Sequence, residues 1–275
     1  MLIASPRHTA RDLEVWATHA RTDAILGRML ARGKKPARAL QAIRDFVATT
    51  RAYVSVSWGK DSTVVAHLAW LLRHEIDLPL VWVKGSWWFN PDCERVRDAF
   101  LQQHPGLRYE EIVVEYDYTR ELTAASSLYF RHGLAEAVRR HGPGHITGVR
   151  AQESRVRRIS MCKFGENSAS GSMPLGWWTT KDVFAYLEAH DLPVHPIYAM
   201  TMGGLFDREH LRVDMLAEER GAERGRVEHE WTYYRDEIRA IRARDEAERT
   251  RLGVGRVEPP RETVLQSDLR GSDGA

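Results

Sequence analysis

Cysteine is nearly absent. Only Cys93 and Cys162 occur, too far apart for a C-x-x-C pair and too few for a four-thiolate site, which argues against an intrinsic iron–sulfur cluster or structural zinc. Long apolar runs are missing as well: no stretch approaches the length of a membrane span, and the N-terminal MLIASPRHTARDLEVW has no apolar leader core. The expected compartment is therefore a reducing cytoplasm, with no membrane partner. Neither sign of charge is in excess. With a formal net charge of +2, composition gives no support for a nucleic-acid partner, and charge has to be read locally. What remains, 43% hydrophobic and 28% charged over 275 residues, is a soluble globular chain able to bury a substantial core.

The stretch that organises the rest is YVSVSWGKDSTVVAHLAWLL, Tyr53 to Leu72. An apolar β-branched run breaks at Ser57–Ser62 and resumes with Val64, Val65, Leu68, Leu71 and Leu72 at helical spacing, which predicts strand, tight loop and helix. A helix start of this kind suits phosphate. Its first N–H groups lack intrahelical partners and the peptide dipoles add partial positive charge. Gly59 admits an anion closely, Lys60 supplies a full charge, and Ser57 and Ser62 supply hydroxyls. The ordinary nucleotide P-loop is excluded, because no glycine lies five residues before Gly59 and Asp61 stands where Ser or Thr would follow the lysine. S-x-G-K-D-S instead resembles the PP-loop of the ATP pyrophosphatase and adenine nucleotide alpha hydrolase superfamily, usually S-G-G-K-D-S, with Trp58 in place of the first glycine.

Around this unit, Thr9–Thr50 reads as two helices joined by Gly33-Lys34-Lys35-Pro36, a basic turn that is solvated or contacts a polyanion. Leu78–Val83 reads as a second strand, and Asn90-Pro91 opens a helix through Gln103. Between them, Trp87, Trp88 and Phe89 read as packing rather than as an adenine stack. Glu110–Tyr116 is a third strand, Leu122–Arg140 a helix and His145–Arg150 a fourth strand. His132, His141 and His145 fall on different elements and are not read as metal ligands. The alternation argues a parallel sheet covered on both faces, with ligands at the carboxyl ends of the strands where strand order reverses.

The fourth strand leads into Gly148-Val149-Arg150-Ala151-Gln152-Glu153-Ser154-Arg155-Val156-Arg157-Arg158, with four arginines in nine residues from Arg150. Guanidinium forks pair with phosphate or sulfate through two hydrogen bonds. The pattern G-x-R-x-x-E-S-x-x-R resembles the segment after the fourth strand in the phosphoadenosine phosphosulfate (PAPS) reductase family. The segments Met173–Leu187 and Leu192–Tyr198 resemble that family's P-L-x-x-W-T-x-x-D-V-x-x-Y and L-P-x-x-P-x-Y. In this last part Thr179 reads as a helix cap, and Trp177 and Asp182 as structural rather than catalytic.

The resemblance implies a three-layer α/β/α domain with a mostly parallel five-stranded sheet, residues 51–216. It is flanked by a helical N-terminal extension (1–50), a charged C-terminal helix (217–252) and a disordered tail (253–275). It implies ATP or PAPS as the nucleotide, bound by Ser57, Gly59, Lys60, Asp61, Ser62, Gly148, Arg150, Glu153, Ser154, Arg157 and Arg158. Lys60, Asp61, Arg150 and Arg157 are the candidate catalytic residues. Mg²⁺ bridging the phosphates is expected, with Asp61 helping to hold it; no resident metal ligand is assigned. Lys84-Gly85 stands where relatives carry an acidic residue and glycine. A reductase of this family attacks the sulfonucleotide's sulfur with a thiolate from a cysteine near its C-terminus, and no cysteine follows Cys162. The first expectation is accordingly adenylyl transfer with pyrophosphate release, in sulfur-related or nucleic-acid modification chemistry. Thiol-dependent PAPS reduction to sulfite, with Cys162 as the available thiol, is one alternative. A nucleotide-binding component of a larger complex, as a homodimer or beside a partner subunit, is the other.

Overall fold

In the computed structural model, which describes residues 1–86, 89–115, 122–213, 216 and 226–254, the organising stretch forms strand β1 (Ala52–Ser55) and helix α3 (Lys60–Leu71). Before it come α1 (Ala10–Ala31) and α2 (Lys35–Val47). After it the chain alternates through β2 (Leu80–Gly85), α4 (Asp92–Gln103), β3 (Tyr109–Val114), α5 (Leu122–His141) and β4 (Gly144–Ile146). It continues with α6 (Arg155–Phe164), β5 (Gly171–Ser172), α7 (Thr180–Ala189), α8 (Arg226–Tyr233) and α9 (Arg235–Leu252). All strand pairs are parallel and the order is β3-β2-β1-β4-β5. Strand order therefore reverses between β1 and β4, whose carboxyl ends carry the loop at Ser57 and the segment from Thr147.

Alternation along the strands builds the three layers. Val54, Leu80 and Trp82 point to one face, into a core shared with Val65 and Leu68 of α3, Val96 and Phe100 of α4, and Val183 and Phe184 of α7. Tyr53, Val81, Val83 and Ile112 point to the other, where they meet Ala137 of α5. The register places Val54 beside both Leu80 and Ile146, and each fully buried side chain of this size contributes about 1.5–3 kcal/mol.

The structure shifts several boundaries. β4 ends at Ile146 rather than Arg150, releasing Gly148–Arg150 from the sheet. β5 is two residues of glycine and serine, held by its ladder and by the Ser172 hydroxyl bonding Asn167 at 2.7 Å. Lys35 lies inside α2 and pairs with Asp182 at 2.5 Å, so its charge serves α7's first turn. The charged C-terminal segment breaks at Tyr234 into α8 and α9. Its apolar edge docks on the domain, with the Tyr234 hydroxyl donating to Asp92 at 3.0 Å. Trp87, Trp88 and the tail beyond residue 254 lie outside the described residues. Phe89 packs edge-on against Trp82, centroids 5.5 Å apart.

Candidate functional site

Gly59 is the N-cap of α3, and the loop before it is braced from within. The Ser62 hydroxyl accepts the Ser57 N–H at 3.2 Å and donates to the Gly59 carbonyl at 3.1 Å, and the Ser57 hydroxyl lies 3.5 Å from it. Trp58 takes a left-handed φ of 61°. That turn places Gly59 where an added Cβ would meet the Tyr198 hydroxyl at 3.2 Å and Val213 at 3.6 Å. Tyr198 also accepts the Lys60 N–H at 3.1 Å. One of the orphan N–H groups of α3 is thus satisfied by the protein, and the Asp61 and Ser62 N–H groups carry the terminus's donor capacity.

The second motif closes on the first. Gly148 packs so tightly on Asp61 that a Cβ would fall 2.8 Å from the Asp61 carbonyl carbon, an approach open only to glycine. Arg150, 2% exposed, donates from Nε to Asp61 Oδ1 at 2.7 Å, and from Nη1 to Gln152 at 3.2 Å and the Thr180 hydroxyl at 3.1 Å. Gln152 in turn accepts the Thr180 N–H at 2.8 Å, fastening this cradle to the start of α7. Lys60, 5% exposed, places Nζ 3.1 Å from Asp61 Oδ2 and 5.0 Å from the centroid of the Tyr198 ring. Asp61 therefore neutralises both buried cations, one with each oxygen.

The accessible arginines lie on α6. Ser154 caps that helix by accepting the Arg157 N–H at 3.1 Å. Arg157 pairs with Glu153, which also lies 3.6 Å from Arg150. Burial first, then the Arg212 and Arg150 cations, press the Arg157 guanidinium below its ordinary range, against the pull of Asp61. Arg157 thus stands close to two further cations, and Glu153 and Asp61 are the carboxylates set between them. Arg158 is exposed on the same helix.

All eleven expected site residues therefore fall at this junction or on the helix leading from it. Sequence reasoning missed Tyr198, Gln152, Thr180, Arg212 and Val213. Tyr198 ends the L-P-x-x-P-x-Y segment, whose pattern reads as structural, while Arg212 and Val213 carry no local signal. Lys84 pairs with Glu111 at 2.7 Å and Glu94 at 3.0 Å, so the reversed sign at the end of β2 is cancelled by its neighbours. The donor set does not fit a resident magnesium: both Asp61 oxygens already face cations. Among the described residues no group of three His, Cys, Asp or Glu side chains converges to hold a metal. Cys93 is buried in α4, and Cys162 is exposed on α6.

The family model of the phosphoadenosine phosphosulfate reductase domain matches residues 51–207. Phosphoadenosine 5'-phosphosulfate reductase of Xanthomonas axonopodis pv. citri (strain 306) is 28% identical over 168 residues, covering 54% of this chain and 66% of that protein. The chain thus spans just under two thirds of the length of the Xanthomonas relative. The enzyme of the same name from Xylella fastidiosa (strain M12) is 23% identical over 233 residues, 76% of this chain and 89% of that one. Among solved structures, phosphoadenylyl-sulfate (PAPS) reductase from Candida auris, in a phosphate complex, aligns with a TM-score of 0.45 at 13% identity, covering 70% of this chain and 94% of that chain.

Proposed function

We propose, on the premise that the chain belongs to the phosphoadenosine phosphosulfate reductase domain family, that it is an enzyme binding PAPS between the N-terminus of α3 and the arginines of α6, and that it acts at the phosphosulfate group. The observation that carries this is the meeting of two motifs at the strand-order reversal. Asp61 joins Lys60 to Arg150, and Arg157 stands beside them among like charges. An anionic group arriving there replaces Asp61 as the counter-ion of Lys60, while buried Arg150 holds Asp61 in place.

The relatives named reductases favour reductive cleavage over adenylyl transfer. In that reaction a thiolate bonds to the sulfonate sulfur as the bond from sulfur to the 5'-phosphate oxygen breaks. The electron pair leaves on the nucleotide, and a second thiol then displaces sulfite and forms a disulfide. Cys162, exposed four residues beyond Arg158 on α6, or an added thiol supplies the nucleophile. A second reading, adenylyl transfer from ATP with release of pyrophosphate, is supported by the burial of Cys93, which leaves Cys162 as the sole accessible thiol among the described residues.

Calorimetric titration of the wild type and Lys60→Ala with PAPS, and with ATP and Mg²⁺, tests the site. Sulfite and pyrophosphate release, with and without dithiol, test the reaction. Preference for PAPS, lost in Lys60→Ala, with dithiol-dependent sulfite release is the expected result. Pyrophosphate release from ATP selects the second reading, and undiminished binding by Lys60→Ala rejects the site.

A further inference from the structure

We infer that α6 and the two aromatic side chains beside it form a track for single-stranded nucleic acid leading into the nucleotide site. The track is local and does not show in the net charge. Arg155–Phe164 carries Arg155, Arg157, Arg158 and Lys163 and no acidic residue. Arg157 has Glu153, whereas Arg155, Arg158 and Lys163 have no carboxylate partner among the described residues. At 1.5 Å per residue, α6 spreads these cations, from Arg155 to Lys163, along about 12 Å. Glu153 pairs with Arg157 in the first turn and lies 3.6 Å from Arg150, so α6 starts at the candidate site and carries its remaining cations away from it.

Among the described residues, the exposed aromatic rings are those of Phe164 and Trp177. Every other described Trp, Phe and Tyr is buried or half-buried. Phe164, at the end of α6, is 54% exposed and has Lys163 Nζ 5.0 Å from its ring centroid. Trp177 is 40% exposed, and its neighbour Gly176 packs directly on Met161, the buried residue of α6. Val156 and Ile159, 76% and 57% exposed, fall opposite Met161 at 100° per residue and continue an apolar surface between the cations. Cations that follow a backbone, flanked by exposed aromatic planes, are what a single strand requires: phosphates take the charges and unpaired bases stack. An acidic protein surface satisfies the cations and gives no account of two exposed rings.

This extends the proposed function by naming a second binding partner, and its test is independent of the sulfur chemistry. Fluorescence anisotropy of a labelled oligothymidylate and of the same-length oligouridylate is measured between about 50 and 200 mM NaCl. Poly-L-glutamate serves as the competing polyanion. Wild type is expected to bind with a log–log salt slope near −3, four contacts at about 0.7 each. Arg155→Glu/Lys163→Glu is expected to weaken binding more than tenfold and flatten the slope by about 1.4. Phe164→Ala and Trp177→Ala are expected to lose roughly tenfold each with the slope unchanged. PAPS titration of the same variants, and oligonucleotide binding by Lys60→Ala, separate failure of the track from failure of the nucleotide site. Absence of oligonucleotide binding at the lowest salt overturns the inference. So does binding insensitive to the four substitutions, or poly-L-glutamate binding as tight as that of the oligonucleotide.

Discussion

Trp58 occupies backbone space that favours glycine. Its φ of 61° costs an L-residue about 1–2 kcal/mol, and a bulky side chain there is a true outlier. The loop that this stretch resembles, S-G-G-K-D-S, has glycine at this place, whereas this chain offsets the strain by burial. The indole is fully buried, 5.6 Å from the Phe100 ring and 5.7 Å from the Tyr109 ring. Trp58→Gly therefore relaxes the backbone and empties the space under the loop. Removing a buried aromatic costs about 3–5 kcal/mol, so the net expectation in urea unfolding is a loss of about 2 kcal/mol. Affinity for PAPS should change by less than about threefold, because the ring lies under the loop rather than on its ligand face. A variant more stable than the wild type would show that strain outweighs packing at this position.

Among the elements, the contact between the β4 exit and the start of α3 carries the site. Gly148→Ala sets a Cβ 2.8 Å from the Asp61 carbonyl carbon, and backbone atoms on both sides leave no flexible neighbour to yield. The expected result is at least a tenfold weaker affinity for PAPS, with a stability loss of about 1–3 kcal/mol. Gly59→Ala, whose Cβ meets the Tyr198 hydroxyl at 3.2 Å, should be milder in both, since a side chain can shift. Paired calorimetric and thermal-melt measurements decide the order, and a milder Gly148→Ala would refute the contact's role. The sequence was legible where side-chain period and capping act locally. Val64, Val65 and Leu68 marked α3 and its buried face. Thr179 with Asp182 marked the start of α7, where both bonds of the capping box are present. Long-range contacts left no such trace. β5 has no apolar pattern because its two residues are a glycine and a serine placed by the ladder to β4. The burial of Arg150 depends on Thr180, thirty residues away, so its role in holding Asp61 could not be read from the arginine run.

Across the whole molecule, buried ionisable groups tie the terminal helices to the α/β domain. Asp12 of α1 is fully buried and accepts the Gly203 N–H at 2.9 Å and the Tyr233 hydroxyl at 2.9 Å. Burial pushes its carboxyl up, and the bonds from Gly203, Thr9 and Tyr233 outweigh this and hold it below the ordinary range. Asp23 and Arg208 form a buried pair at 2.6 Å, again joining α1 to the segment after α7. Two histidines add a pH dependence with a definite sign. Burial, reinforced by His190 and His104, lowers His67 to about 3, while its Nδ1 lies 2.9 Å from the Tyr186 hydroxyl. Burial also lowers His195 to about 3, with Asp92 opposing and Arg95 and Arg7 assisting. Both rings are neutral in the folded protein and charge near pH 6.5 when it unfolds. Their contribution is therefore complete above pH 6.5 and is lost as pH falls from there toward 3. Each group gives a slope of about 1.4 kcal/mol per pH unit. Carboxylates such as Asp12, Glu111 and Asp182, all held below their ordinary values, weaken the fold only at lower pH, as it falls below the ordinary carboxylate range. The interval from about pH 6.5 to 4.5 thus belongs mainly to histidine, and His104 and His190, also lowered first by burial, add to it with the same sign. Urea unfolding across that interval should show stability falling steeply with acid. His67→Gln and His195→Asn should each flatten the slope by about 1.4 kcal/mol per unit. A wild-type profile flat from pH 6.5 to 4.5 would mean that water reaches these rings and that the core around α3 and α7 is looser than its packing implies.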